Sequence, residues 1–337
     1  MNLILFSAFL LATSQAYSEK IKIGVSPTIS SAGIYLAFEN NYFKSENIEA
    51  ELITVPNSGA AMTLLLAKNE LDVGAGNLSS GLFNAISQNQ NFKIVADKGH
   101  SEKGKEYIAL VIRNDLVESG KFKTLKDLKG LKIGMTSLDG VSQQIVIERM
   151  LSSAGLKSED VHYTKLSYAE MNTAMRSKSL DAAIQLEPYL TSGVAEGLFT
   201  LFETSQKYAP DQQSAAVFFS PKMISSKKDL GTRFMKAYLR GVRLYNKALK
   251  DDVLRKNIVA SLKKYIQISD ESVWAKMAPV GLRDDGMINV KNLMGDLKWY
   301  HDKGFVPDIP SESQMIDSSF VLNAAKQLTT KTNQDHD

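Results

Sequence analysis

Four stretches of this chain place small hydroxyl and amide residues directly after a short apolar run. Thr28, Ser30 and Ser31 follow residues 20–25, and Asn57 and Ser58 follow 50–55. Asn77, Ser79 and Ser80 follow 71–75, while Ser137, Gly140, Val141 and Ser142 follow 132–135. If each run is a strand and each stretch opens a helix, free backbone N–H groups and the helix dipole favour an anion or a carbonyl there. The hydroxyls and amides add hydrogen bonds without fixed charge. Ser and Asn also cap helices everywhere, so each stretch alone is ambiguous and the recurrence is the signal. Glu187 ends a further run (182–186) and precedes Pro188 and Tyr189. It can accept from an amine or ring N–H of a ligand; alternatively it pairs across a hinge or caps a helix. Tyr107, Tyr189 and Phe218 can pack on an apolar or aromatic ligand, or belong to the core.

No catalytic set accompanies these residues. His100, His162, His301 and His336 are far apart and none has metal-ligand spacing. No serine sits in a Gly-x-Ser-x-Gly elbow. Cysteine is absent, which removes disulfides, thiolate metal sites, catalytic cysteines and lipid-modified cysteine anchors. Gly74-x-Gly76-x-x-Ser79, with Asp97 beyond it, resembles a dinucleotide fingerprint, but it lacks the third glycine and sits at the third strand. The expectation is a binding protein, not an enzyme, with no cofactor and no metal. No arginine lies in a candidate loop, and Lys98, the nearest cation, falls on a polar crossover where it reads as solvated. A doubly charged anion would lack charged partners; a small organic acid or sulfonate suits the loops better.

The elements that must position these residues occur twice. Residues 21–26 (Ile-Lys-Ile-Gly-Val-Ser) return as 131–136 (Leu-Lys-Ile-Gly-Met-Thr), and 71–75 (Leu-Asp-Val-Gly-Ala) as 180–184 (Leu-Asp-Ala-Ala-Ile). Met62 is matched by Met171. A self-match at this long spacing implies two lobes of one design, and clefts between lobes are where small ligands bind. Strands alternate with helices over short connections, so the fold class is α/β, with a mostly parallel sheet flanked by helices in each lobe. Ligands of such sheets sit at the carboxyl ends of strands, here the loops 26–31, 56–59, 76–80, 136–142 and 187–189. Two polar stretches, 97–106 and 204–214, read as crossovers, and two crossovers make a hinge. The expected division is a signal peptide over 1–16, a first lobe from 17–106 with 215–337, and a second lobe over 107–214. The helical tail after 228 is expected to wrap the first lobe.

The 337 residues suffice for two domains, and a net charge of +3 gives no support for nucleic-acid binding. Residues 3–12 are apolar and too few to span a bilayer, and small residues at 14 and 16 suit a signal peptidase. The expected location is therefore periplasmic, without a lipid anchor.

At this point the residues resemble a family. The opening strand and helix (21–43), the Lys-x-x-Leu-Asp-Val-Gly run ending at Gly74, residues 125–134 (Leu-Lys-Asp-Leu-Lys-Gly-Leu-Lys-Ile-Gly) and Glu187-Pro188-Tyr189 are similar to the substrate-binding proteins of nitrate, sulfonate and taurine ABC importers, the NMT1/THI5-like group. The resemblance implies a type II periplasmic-binding fold and a monomer. It also implies capture of a small-molecule solute and delivery to an ABC permease and its ATPase. The alternatives within the group are an enzyme of thiamine-pyrimidine metabolism or a binder of a pyrimidine precursor. The synthases of this fold use a cysteine-rich motif, which this chain lacks.

Overall fold

A computed structural model describes residues 18–55 and 60–334. The expected signal segment and the Asn57–Ser58 opening lie outside them. The strands are β1 (Glu19–Val25), β2 (Ile48–Thr54), β3 (Val73–Asn77), β4 (Lys93–His100), β5 (Ile108–Arg113), β6 (Lys132–Met135), β7 (His162–Lys165), β8 (Ala182–Leu186), β9 (Phe199–Thr204) and β10 (Gln213–Phe219). The first helices are α1 (Ala32–Glu39), α2 (Tyr42–Ser45), α3 (Ala60–Ala67), α4 (Ser80–Ser87), α5 (Asn114–Glu118), α6 (Ser142–Ser153), α7 (Tyr168–Arg176) and α8 (Tyr189–Ala195). The tail adds α9 (Pro221–Ser226), α10 (Lys228–Ala248), α11 (Asp252–Leu262), α12 (Glu271–Lys276), α13 (Val290–Asp302), α14 (Glu312–Met315) and α15 (Ser319–Gln334).

The strands form two sheets, ordered β2-β1-β3-β10-β4 and β7-β6-β8-β5-β9. Position by position the second repeats the first, with β6 standing for β1, β7 for β2 and β8 for β3. The equivalence extends to single bonds. The Lys22 N–H donates to the Asp72 carboxylate at 3.0 Å, and the Lys132 N–H donates to Asp181 at 3.0 Å. Both glycines of the repeated strand face a leucine and a methionine. A Cβ on Gly24 would lie 2.5 Å from Leu71 and 2.6 Å from Met62; one on Gly134 would lie 2.7 Å from Leu180 and 3.1 Å from Met171. These two positions let α3 and α7 lie close against their sheets.

Each sheet is more mixed than expected. β1 pairs in parallel with β2 and β3, and β6 with β7 and β8. The strand entering after each crossover, β10 or β5, runs antiparallel to both its neighbours. The strand β9 at the edge of the second sheet was not anticipated. Nor was the break near Asn41 (φ 56°) that splits the opening helix, expected to run unbroken to residue 43, into α1 and α2. The expected polar loop over 97–106 also needs correction: β4 continues to His100, and Asp97, Lys98, His100 and Ser101 are buried. Polarity marked exposure wrongly here because these groups bond one another and the returning strand.

Apolar residues of the first sheet alternate between two cores, as period-two geometry requires. On β10, Val217 and Phe219 face the layer of α1 and α10, while Ala216 and Phe218 face that of α3, α4 and α13. The tail wraps the first lobe: α10 packs on α1 and α15, and α13 packs on α4. It also reaches the second lobe through α12 against α8 and α13 against α6. Among the described residues no helix is long and apolar enough to cross a membrane.

Candidate functional site

The strand-end loops of the two lobes meet in a polar seam. After β1, the hydroxyls of Ser26, Thr28 and Ser30 form a chain, with Thr28 Oγ1 at 3.3 Å from Ser26 Oγ and 3.0 Å from Ser30 Oγ. Ser31 Oγ and Tyr35 OH donate to the Ser26 carbonyl at 2.7 and 2.9 Å and so fix the turn. From the second lobe, Tyr189 OH donates to the Pro27 carbonyl at 3.3 Å, and its ring stacks on Tyr168 at 6.1 Å. Tyr168 OH accepts from Asn77 of the first lobe at 3.3 Å and from Gln143 of the second at 2.7 Å. Ser142 Oγ donates to the Ser214 carbonyl at 3.3 Å, and Tyr107 OH is hydrogen-bonded to Ser214 Oγ. Burial pushes the Tyr107 and Tyr168 phenols well above their ordinary range, so both stay neutral.

A second contact joins the lobes at the start of α4. Ser79 caps this helix, accepting from the Leu82 N–H at 3.4 Å, and forms a backbone bridge to Val141. The Ser80 N–H donates to the Gly140 carbonyl at 2.9 Å, and Ser80 Oγ donates to the Asp139 carbonyl. The N–H of Ser80, expected to face an anion, is thus occupied by a carbonyl of the other lobe. Gly140 has φ +88°, and a Cβ there would lie 3.0 Å from Ser80. Val141 occupies the N-cap position of α6, with no side-chain cap hydrogen bond.

The structure brings Thr28, Asn77, Ser142 and Tyr189 into the seam and sets Ser79 and Val141 in the backbone contact beside it. Ser31 acts on its own turn, and Ser137 accepts from the Asp139 N–H at 3.3 Å within its loop. In the structure Glu187 takes the helix-capping arrangement, one of its expected alternatives. Its carboxylate, 1% exposed, accepts from Thr191 N at 3.1 Å, Thr191 Oγ1 at 2.7 Å and Ala278 N at 3.0 Å. It holds α8 and ties the second lobe to the tail; burial raises its pKa, and these bonds oppose the rise. Lys98 is corrected from solvated to fully buried, with Nζ 2.9 Å from Ser30 Oγ and 3.2 Å from Ser26 Oγ.

Sequence reasoning missed Gln143, Tyr168 and Ser214. Tyr168 was within reach: β7 is the counterpart of β2, so the loop after β7 belonged with 56–59. Gln143 and Ser214 carried no local signal.

Among the described residues of the seam, no nucleophile stands beside a base. The nearest buried dyad, His100 Nδ1 to Asp97 at 3.2 Å, has its Asp97 oxygens filled by Gly99 N, Gln213 Nε2 and Arg283 N. Among the described residues no cluster suits a metal ion. A groove of about 1230 Å³ runs from His100 at the carboxyl end of edge strand β4, past Glu102 and Lys105, to the end of α10, and mixes Lys247 and Arg243 with Asp251 and Asp284.

Known proteins share this fold. A Brachyspira hyodysenteriae protein described as an ABC transporter periplasmic binding protein is 24% identical over 68% of this chain and 66% of its own. An Escherichia coli protein described as aliphatic sulfonates-binding is 26% identical over 58% of each chain. The chain thus spans less than two thirds of the length of these relatives. The solved E. coli aliphatic sulphonate binding protein SsuA superposes with a TM-score of 0.69 at 18% identity, covering 89% of this chain and 92% of its own. The Synechocystis nitrate-binding protein NrtA does so at 0.73 and 12%, covering 94% and 91%. A desulfurization enzyme, DSZB, has the same fold at 0.67 and 10%, covering 92% and 99%. The fold is the two-lobed type II periplasmic-binding fold. The family model described as NMT1/THI5 like matches residues 28–248, and the chain belongs to that family.

Proposed function

We propose that this chain is the solute-binding component of an ABC importer, closing its two lobes on one small ligand and presenting it to a membrane permease. The supporting observation is the seam itself: hydroxyl, amide and phenol groups from both lobes converge at the carboxyl ends of strands, where α/β sheets take ligands. A solute filling that seam would replace bonds the lobes make to each other and bias the open–closed equilibrium by its differential affinity. The reading includes lobes over 17–106 with 215–337 and over 107–214, a periplasmic location after loss of residues 1–16, and a monomer. The hydroxyl-rich loops favour a carboxylate or sulfonate as ligand. The likeness to DSZB keeps an enzyme on this fold as the second reading, against which stand the absent cysteine and the occupied Asp97–His100 pair.

A thermal-shift panel of sulfonates, carboxylates, nitrate, pyrimidines and amino acids tests this. A ligand of the native state raises the melting temperature with the logarithm of its concentration. The expected result is a shift from one chemical class with the compound recovered unchanged. Consumption of the compound would contradict a pure binding role, and no shift from any class would contradict solute binding.

A further inference from the structure

Lys98 is the unusual group of the seam. It has no exposed surface, yet among the described residues its only hydrogen-bond partners are two neutral hydroxyls, Ser26 and Ser30. An ammonium has three protons to donate. Among the described residues it forms no ion pair, which is rare for a buried lysine; the carboxylate whose charge reaches it, Asp97, is hydrogen-bonded to His100.

The charged groups around Lys98 are all committed elsewhere. On its own strand, neighbouring Asp97 points to the opposite face and accepts from Gly99 N, Gln213 Nε2, His100 and Arg283 N. His100 turns its other nitrogen to Glu102 at 3.5 Å. From α10, Tyr238 donates to the Asp97 carbonyl; from α1 and α8, Tyr35 and Tyr189 donate to the carbonyls of Ser26 and Pro27. β10 contributes only neutral Gln213 and Ser214, and Glu187 is filled by Thr191 and Ala278. A buried ammonium in such surroundings either loses its proton or gains an anion. The hydroxyl cluster it touches forms the loop at the end of β1, inside the seam.

We propose that Lys98 is the charge receptor of the interlobe site: the solute carries a single anionic group, seated against the Ser26–Thr28–Ser30 hydroxyls and neutralised by the Lys98 ammonium. This rests on the solute-binding reading and narrows it. One buried cation matches a carboxylate or sulfonate monoanion; a dianion would leave one charge unpaired, and a neutral isostere would leave the cation unpaired.

Burial pushes the Lys98 pKa down to about 7, with the Asp97 charge opposing. Below that pH the free protein already holds the proton. Above it, binding an anion must draw a proton in, so affinity falls by up to about tenfold per pH unit. In the solute-free protein the sign is opposite. The unfolded lysine keeps its proton up to its ordinary value, so between about 7 and that value stability rises with pH.

The test is calorimetric titration of the purified protein with nitrate, butyrate and 1-butanesulfonate, and with butyramide as the neutral isostere of butyrate, at pH 6.5 and 8.5. The expected result is binding of at least one anion, no binding of butyramide, and an affinity at least tenfold weaker at the higher pH. Lys98→Met should weaken the anion a further hundredfold at pH 6.5. The wild-type pH and isostere comparisons decide the matter even if that variant folds poorly. Butyramide binding as well as butyrate, a pH-independent affinity, anion binding by Lys98→Met within threefold of wild type, or no anion bound would each overturn the assignment. A neutral compound that binds in the wider panel would leave the solute-binding reading standing; failure of every class would remove both.

Discussion

The Glu187 carboxylate has little capacity left for a solute, because Thr191 and Ala278 already occupy it. Truncating it strands three donors in a buried site, each worth roughly 1–3 kcal/mol if left unpaired. Some of that is offset, because burial already disfavours the charge. Glu187→Ala should therefore lose about 2 kcal/mol in urea denaturation, while solute affinity stays within about threefold. Unchanged stability with a large loss of affinity would return Glu187 to the site. Residue type marked strand-end loops that meet in the seam but not which partner each side chain would take. Thr28 and Tyr189 were legible because a strand end and a helix start fix where such residues point. Lys98 was not, because its burial depends on the 26–30 turn folding over it, a contact about 70 residues away in sequence.

At the scale of elements, the repeat makes a symmetric claim. Gly24 and Gly134 do the same work in β1 and β6, so an alanine at either meets a leucine and a methionine of its own lobe. These neighbours are flexible side-chain ends, so Gly24→Ala and Gly134→Ala should each cost about 1–2 kcal/mol rather than abolish folding. The costs should add in the double variant, since the sites share no partner. Thermal denaturation of the three variants checks this; a neutral change in one lobe beside a severe one in the other would show that the two sheets are not built alike. The repeated strands were legible in the sequence because each lobe conserves its own packing rule, a glycine under a methionine and an aspartate capping the strand start. The strand β9 and the polar end of β4 were not, since both are sheet edges made by long-range pairing rather than local pattern.

At the scale of the molecule, the lobes are joined in three ways. The crossovers after β4 and β9 carry the chain, the strand-end seam carries hydroxyls and phenols, and the tail bridges both. In the tail, Asp296 of α13 accepts from Gln212 at 2.9 Å and lies 3.7 Å from Arg149 of α6. Lys303 pairs with Glu148 nearby. Contacts beside the crossovers can persist through a rotation, whereas Ser80–Gly140 and Tyr189–Pro27 must break for the lobes to part. That separation of persistent and breakable contacts is what a hinge needs. The direct measurement is single-molecule energy transfer between dyes at Glu51→Cys on β2 and Lys165→Cys on β7, the outer edges of the two sheets, in a chain whose lack of native cysteine makes both labels unique. The account predicts at least two transfer states in the free protein, collapsing to the high-transfer state when a solute that raises the melting temperature is added. A single state, unmoved by a solute that demonstrably binds, would contradict closure between the lobes.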